Sequence, residues 1–392
     1  MANKNLGKAK SEKNDEFYTQ YNDIQQEMNA YIEFNPDVFR DKTILLPCDD
    51  PEWSNFTKFF AQNFEQYGIK KLISTSYAPE SKKLKSWEPS LFESENPHFD
   101  ADKSKTNGKI FVLDKDTNGN GRIDIEDLEW DYLEGDGDFR SAEVCALRDE
   151  ADIIITNPPF SLFREFMAWI MEAQKKFVVI GTMNAITYKE IFPLIKDNQL
   201  WLGNGFSAGN AYFGIPKSAK TEYASGVYDQ ETGLVKFRNC CWFTNIDHGR
   251  RHQPLDLMTM EDNIMFSKHK EIKGKRYLQY DNCDAIEVPF SDAIPIDYDG
   301  MMGVPITFLD KYCPEQFIIE GITKTWYGFA SKTYDEQIQV DKNGKLSSVT
   351  KLNDGAAIEL KEEPKDITYY IVDDKMYTQV YARILIRKRT QQ

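Results

Sequence analysis

Several things are scarce or missing in this chain of 392 residues, and each absence excludes something. No run of eighteen consecutive apolar residues occurs, so no segment has the character of a membrane-spanning helix. The first residues, Met1-Ala2-Asn3-Lys4-Asn5, lead into charged residues and not an apolar stretch, so no secretory signal is expected. The six cysteines are scattered, with Cys240 and Cys241 adjacent and no CxxC spacing. That pattern disfavours a disulfide framework or a zinc site and suits reduced thiols in a cytoplasmic protein. Positive charge is also short, with 48 Lys and Arg against 63 Asp and Glu, a net charge of −15. A uniformly basic nucleic-acid binder is thereby excluded, although an acidic chain can still carry a basic cleft. Part of the excess is local, since ten acids fall between Asp114 and Asp138.

What is present is globular. At 41% hydrophobic and 28% charged, the chain has ample length for a large core in two or three packed units. Residues 1–14 are polar and lysine-rich and read as a mobile basic arm. Asp15 to Thr19 opens a helical stretch through Ile24, Met28 and Tyr31. Apolar runs at Thr43–Leu46, Lys71–Ser74, Lys109–Leu113, Ala151–Thr156 (interrupted only by Asp152) and Lys176–Gly181 read as strands. Asp50 with Pro51 reads as a helix start, and Phe56, Phe59, Phe60, Phe64 and Tyr67 recur at helical spacing up to Gly68 as a core-facing stripe. A further helix is expected from Tyr188 to Asp197. The alternation predicts an α/β unit with a doubly wound, mostly parallel sheet over 15–249, interrupted by an insertion at about 79–135. From 250 to 392 the pattern turns to a mixed α+β region, with strands expected at Ala285–Val288, Val304–Leu309, Gln316–Gly321 and Tyr381–Ile386.

The tetrapeptide Asn157-Pro158-Pro159-Phe160 ends the most continuous of these strands and precedes a helical stretch for which Ser161 is the expected N-cap. In open α/β sheets, ligands bind at the carboxyl ends of strands. Two prolines stop the strand and fix the backbone, so Asn157 and Phe160 project at set angles. An exocyclic amino group on a heteroaromatic base is a poor nucleophile, because its lone pair is delocalised into the ring. An Asn157 amide oxygen and a Pro158 carbonyl could accept its two hydrogens and turn that lone pair toward an electrophilic methyl. Phe160 offers an apolar face for stacking the base. No ionisable base is required; oriented acceptors suffice. An ordinary turn after a strand is the plainer reading of the same residues.

The residues Asp15 to Thr19, Cys48-Asp49-Asp50-Pro51, Gly135 to Ser141, Asn157 to Phe160, Trp242 to Asn245, Tyr280-Asp281-Asn282 and Asp297 to Pro305 together resemble the EcoRI-type adenine-specific DNA methyltransferases, over about Asp15 to Arg389. The resemblance implies a methyltransferase-type fold that uses S-adenosylmethionine, with N6-methyladenine in duplex DNA as product. It implies that Phe17, Tyr18 and Thr19 contact the methionine end of the cofactor. Asp49 and Asp50 would face its amino group or ribose, unless they only cap a helix. Asp138 and Phe139 would hold its adenine. Unlike methyltransferases in general, the chain has no glycine-rich turn after its first strand. The element order puts target recognition in 250–392. Double-stranded DNA is the expected partner, with a cognate restriction endonuclease sharing the target, and the enzyme is expected to be a monomer.

A second constellation runs from Asp116 to Asp127. Asp116, Asn118, Asn120, Asp124 and Asp127 occupy ligand positions of a calcium loop, with Gly121 at the sharp turn. An acidic surface loop is the alternative. Basic stretches at His248 to His252 and Lys268 to Arg276 suit phosphate contact, with Arg250, Arg251, Lys273, Lys275 and Arg276 as the candidates. Two other functions remain open at this level: methylation of a protein glutamine amide, which poses the same electronic problem, and a calcium-stabilised binding module without catalysis.

Overall fold

Thr43-Ile44-Leu45-Leu46 becomes a strand buried along its whole length, and the sheet of the first half of the protein grows around it. The computed structural model describes residues 18–49, 54–78, 94, 97–127, 129–206, 210–214 and 227–389. The arm at 1–14, Phe17, Asp50, Pro51 and most of 79–96 lie outside the described residues. The chain divides into two units: Met1–Met183 with Leu200–Gly249, and Asn184–Gln199 with Arg250–Gln392.

In the first unit the elements are β1 (Tyr18–Thr19), α1 (Tyr21–Phe34), β2 (Thr43–Leu46), α2 (Asn55–Gln62), α3 (Phe64–Tyr67), β3 (Lys71–Thr75), α4 (Lys103–Thr106), β4 (Lys109–Leu113), β5 (Glu129–Tyr132), α5 (Ala142–Glu150), β6 (Ile153–Thr156), α6 (Phe163–Glu172) and β7 (Lys176–Thr182). After α7 (Phe192–Lys196), which belongs to the second unit, come β8 (Trp201–Leu202), β9 (Asn210–Gly214), β10 (Leu234–Arg238) and β11 (Cys240–Thr244). Eight strands form one sheet in the order β5-β4-β3-β2-β6-β7-β11-β8. Its centre, β3-β2-β6-β7, is parallel. Both flanks are antiparallel: β4 and β5 on one side, β11 and β8 on the other. The sheet is therefore mixed and not mostly parallel as expected. Hydrophobic runs report that a strand is covered, not which way it points. The alternating burial of β4 is the mark of an antiparallel strand near an edge.

The sheet is covered on both faces. Ile24, Met28 and Tyr31 of α1 and Phe56, Phe59 and Phe60 of α2 pack with Ile44, Leu46, Ile153, Ile155, Val178 and Ile180. The alternate residues Leu45, Ile154 and Val179 are buried as well, on the opposite face. The aromatic stripe is core, but its helix breaks at Asn63, whose side chain bonds the Phe59 carbonyl at 2.8 Å. Gly68 closes α3 in the left-handed conformation. The helix expected to start at Asp50 starts at Asn55, because Ser54 caps it by accepting from Phe56 N at 3.0 Å. Tyr18 and Thr19, expected in a helix, instead pair as β1 with β9 in a small antiparallel sheet β1-β9-β10.

The second unit contains α7, α8 (Met260–Phe266) and two sheets. Strands β12 (Ile286–Glu287), β13 (Met302–Pro305), β14 (Phe317–Ile322) and β20 (Arg383–Lys388) form the first, in the order β12-β13-β20-β14. Strands β15 (Gln337–Val340), β16 (Leu346–Val349), β17 (Ala357–Leu360), β18 (Tyr369–Val372) and β19 (Lys375–Gln379) form the second, in the order β16-β15-β18-β19-β17. The helix expected over Tyr188–Asp197 shortens to α7, whose first turn holds Pro193, where a missing N–H costs nothing. No described helix is long and apolar enough to cross a membrane.

Candidate active site

The carboxyl ends of β2, β3 and β6 are tied together by one carboxylate and a set of buried hydroxyls. Asp49 Oδ2 accepts from Thr156 Oγ1 at 2.6 Å, and Oδ1 accepts from Ser54 Oγ at 2.8 Å. Ser74 Oγ donates to the Asp49 carbonyl at 2.7 Å and meets Thr57 Oγ1 at 2.8 Å. Thr75 Oγ1 donates to the Pro47 carbonyl. Charge-assisted bonds of this kind are the strong ones, and in a buried setting they fix geometry. Where a glycine-rich turn was missing from the sequence, this network shapes the strand ends. Both Asp49 oxygens accept one bond within it.

Asn157 leaves the end of β6 half-buried, Pro158 is buried, and Phe160 starts a short 3-10 turn, Phe160–Leu162, before α6. Ser161 does not cap α6, which begins at Phe163 without a side-chain cap. The Leu162 N–H bonds the Pro159 carbonyl at 2.9 Å, so that turn does not use the Pro158 carbonyl. The Phe160 ring stands edge-on to Phe213 of β9 (6.4 Å) and Phe237 of β10 (6.2 Å). Phe213 is paired across the small sheet with Thr19. The fold thus brings β1, the tetrapeptide and the aromatic faces of β9 and β10 to one place. Asn55, the first residue of α2, donates to the Thr19 carbonyl at 2.7 Å. Thr19 Oγ1 is buried, with no hydrogen-bond partner among the described residues. A buried hydroxyl left in this way suits a ligand with polar atoms at that wall.

Glu27 of α1 is a second organising carboxylate. It is fully buried and accepts from Tyr31 Oη (2.6 Å), Asn204 N (2.9 Å) and Gly205 N (3.0 Å). Only glycine fits at 203, since a Cβ there would lie 1.9 Å from Glu27 Oε1. Burial and the Glu27 charge push the Tyr31 hydroxyl well above its ordinary value, which keeps it a donor. Through these bonds the helix that follows β1 grips the segment leading to β9, its strand partner.

Asp138 is held by Arg140: Nε donates to Oδ1 at 2.9 Å and Nη2 to Oδ2 at 2.6 Å. That pairing keeps the Asp138 carboxyl below the ordinary carboxylate range. Arg140 also bonds Glu165 of α6 at 3.0 Å and lies 5.3 Å over the Phe139 ring. Phe139 is buried against Phe166 and Trp169. Just before them, Gly137 has φ +80° and touches the end of β3 so closely that a Cβ would lie 2.1 Å from the Ser76 carbonyl oxygen. Gly137→Ala is expected to cost about 3 kcal/mol, from overpacking together with left-handed backbone strain. A urea unfolding midpoint unchanged from the parent would contradict that crossing.

Calcium at the acidic loop is not supported. Among the described residues, no group of three or more His, Cys, Asp or Glu side chains could hold an ion. Asp116 accepts from Gly119 N and Gly121 N, and Asn118 and Asn120 accept from Asn120 N and Arg122 N. Asp124 accepts from Glu126 N, while Asp127 closes the loop on Thr117 N, Asn118 N and Asp124 N. The backbone donor on Asp124 leads the bonds that hold the Asp127 carboxyl below its ordinary range. The basic stretch at 248–252 is also corrected. Arg251 is buried and bonded to Asn198, and Arg250 pairs with Asp310 at 2.6 Å, so neither is a free phosphate ligand. Lys273, Lys275 and Arg276 are exposed. The sequence reasoning passed over Ser54, Asn55, Glu27 and Arg140. Ser54-Asn55 before an aromatic stripe was a legible cap signal; the other two depend on contacts far along the chain.

A family model described as adenine-specific methyltransferase EcoRI matches residues 5–389. The chain is 41% identical over 316 residues to the type II methyltransferase M.EcoRI of Escherichia coli, covering 80% of this chain and 88% of that protein. It is 34% identical over 315 residues to the type II methyltransferase M.MpnI of Mycoplasma pneumoniae, covering 80% and 83%. A further relative, M.MgeORF184P of Mycoplasma genitalium, is 34% identical over 319 residues, covering 80% and 84%. No solved structure matches this chain.

Proposed function

This chain belongs to the EcoRI-type family of adenine-specific methyltransferases, and from that premise we propose that its reaction takes place at the Asn157–Phe160 turn. The protein is an adenine-specific DNA methyltransferase, and its family implies S-adenosylmethionine, which supplies the methyl group when bound. The observation that carries the assignment is a carboxamide at the end of a buried parallel strand, next to an aromatic ring that shares a wall with β1.

In this reading an adenine swung out of duplex DNA lies against Phe160. The Asn157 side-chain oxygen and the Pro158 carbonyl accept the two N6 hydrogens. The nitrogen lone pair would thereby turn toward the donor's sulfonium methyl; the N6–carbon bond would form as the methyl–sulfur bond breaks, the neutral thioether would be the leaving group, and the surplus N6 proton would pass to solvent. Tyr18 and the buried Thr19 hydroxyl would hold the donor's methionine end, and Asp138, with the lone pairs that Arg140 leaves open, would accept from its adenine amino group. Asp49 is a positioning residue in this scheme. Recognition of a specific sequence falls to the 250–392 region, and the enzyme works as a cytoplasmic monomer alongside an endonuclease of the same target.

The test is transfer from labelled S-adenosylmethionine to duplex DNA, followed by nucleoside analysis, with a glutamine-containing peptide as second acceptor. N6-methyladenine is the expected product, and label only in the peptide overturns the reading. Phe160→Ala should lower kcat/KM for DNA by about 5- to 150-fold, the loss of roughly 1–3 kcal/mol of stacking. Unchanged kcat/KM would remove Phe160 from the base site.

A further inference from the structure

The second unit carries a basic knob that the assignment of the reaction leaves unused. Residues 268–276 hold five Lys and Arg against the single acid Glu271, in a chain of net charge −15. The segment is pinned at several points. Ile272 is buried, the His269 ring stacks on Phe290 at 3.7 Å and 4°, and His269 Nε2 meets Asp292 Oδ1 at 2.8 Å. Gly274 N donates to the Ile264 carbonyl at 2.8 Å, and Tyr277 Oη donates to the Ala293 carbonyl at 2.6 Å. Lys268 pairs with Asp292. Lys270, Lys273, Lys275 and Arg276 are exposed and make no ion pair among the described residues.

The bond from Gly274 to Ile264 sets these cations beside the last turn of α8, where Met265 is 48% and Phe266 67% exposed; Leu278, just beyond, is 54% exposed. Met265 and Phe266 are thus an adjacent exposed apolar pair beside four cations that no ion pair engages among the described residues. We propose that this knob is a docking face for duplex DNA, with Lys270, Lys273, Lys275 and Arg276 on phosphates and Phe266 against the sugar and base edge. The inference rests on the DNA methylation proposed above. Charge complementarity selects the partner. An acidic protein repels phosphate over most of its surface, so contact concentrates where the local sign reverses. The pinned backbone lowers the cost of ordering the contact, because little loop entropy is lost on binding.

The test uses the full chain and a duplex that the parent methylates, with the dissociation constant measured by anisotropy across a salt series. The quadruple variant K270Q/K273Q/K275Q/R276Q should flatten the slope of log Kd against log salt by about 3 to 4, near 0.9 for each lost phosphate contact. Phe266→Ala should weaken binding by about 5- to 150-fold with its salt slope unchanged. Both changes lie on exposed side chains, so thermal midpoints should stay at the parent value. A parent that methylates DNA while the quadruple variant keeps its affinity and slope overturns this inference alone. Loss of self-association without loss of DNA affinity also overturns it, in favour of a second copy of the chain as occupant. A parent that binds and methylates no DNA overturns it together with the proposed reaction.

Discussion

Asn157→Ala should lose methyl transfer by a factor on the order of 10²–10³ or more, the scale on which removal of one preorganised polar group slows a reaction. Binding of S-adenosylmethionine should stay close to that of the parent. The separation follows from position. Asn157 is half-buried at the strand end, and the prolines after it keep the backbone course without its side chain. The residues assigned to the donor, Tyr18, Thr19 and Asp138, sit on other segments with their own supports, in Asn55 and Arg140. Calorimetry with the donor alone and turnover on DNA therefore report different things. Parent-like turnover in the variant would end the proposal that the carboxamide activates the amino group. Loss of donor binding to the same degree as turnover would move Asn157 into the cofactor site.

The largest loss of stability is expected from Glu27→Ala. That change strips the acceptor from a fully buried tyrosine hydroxyl and from the backbone N–H groups of half-buried Asn204 and Gly205. A stranded buried donor costs about 1–3 kcal/mol and the two half-buried backbone donors fall at the low end, so roughly 3–5 kcal/mol is expected in all. In calorimetry the transition of the first unit should fall by on the order of 10 °C. Glu27→Gln keeps one acceptor oxygen and should fall between parent and alanine variant. Because Glu27 grips the segment that enters β9, the KM for S-adenosylmethionine should rise in Glu27→Gln more than kcat falls. An alanine variant that melts with the parent would show that the bonds at Asn204 and Gly205 carry no net stability.

Much of the scaffold was legible because its signals are local. The strands at 43–46, 109–113 and 153–156 emerged from runs of apolar residues, and the tetrapeptide lies where a strand end was expected. Strand direction was not legible. Similar apolar runs serve β2, parallel to its neighbours, and β4, antiparallel to its own, and direction depends on connections. Helix boundaries slipped where a cap lay nearby: Ser54 caps α2, which begins at Asn55. Asp49 illustrates the limit for the site. Its type and place suggested a ligand to the cofactor or a helix cap, and its bond to Thr156, 107 residues away, is visible only in the folded chain. Arg250 and Arg251 looked like a surface stretch, yet Asp310 and Asn198 claim them.

The excursion of residues 184–199 bears on any attempt to exchange the second unit of this enzyme for that of a relative. The chain leaves the first unit after Met183, rejoins it at Leu200 and departs again at Gly249. Within that excursion Phe192 is fully buried, with its ring against Trp326 and Tyr327. A chimaera joined only at residue 250 would separate that phenylalanine from its sockets and replace them with foreign ones. A functional exchange must transplant two pieces of chain at once, through three splice points.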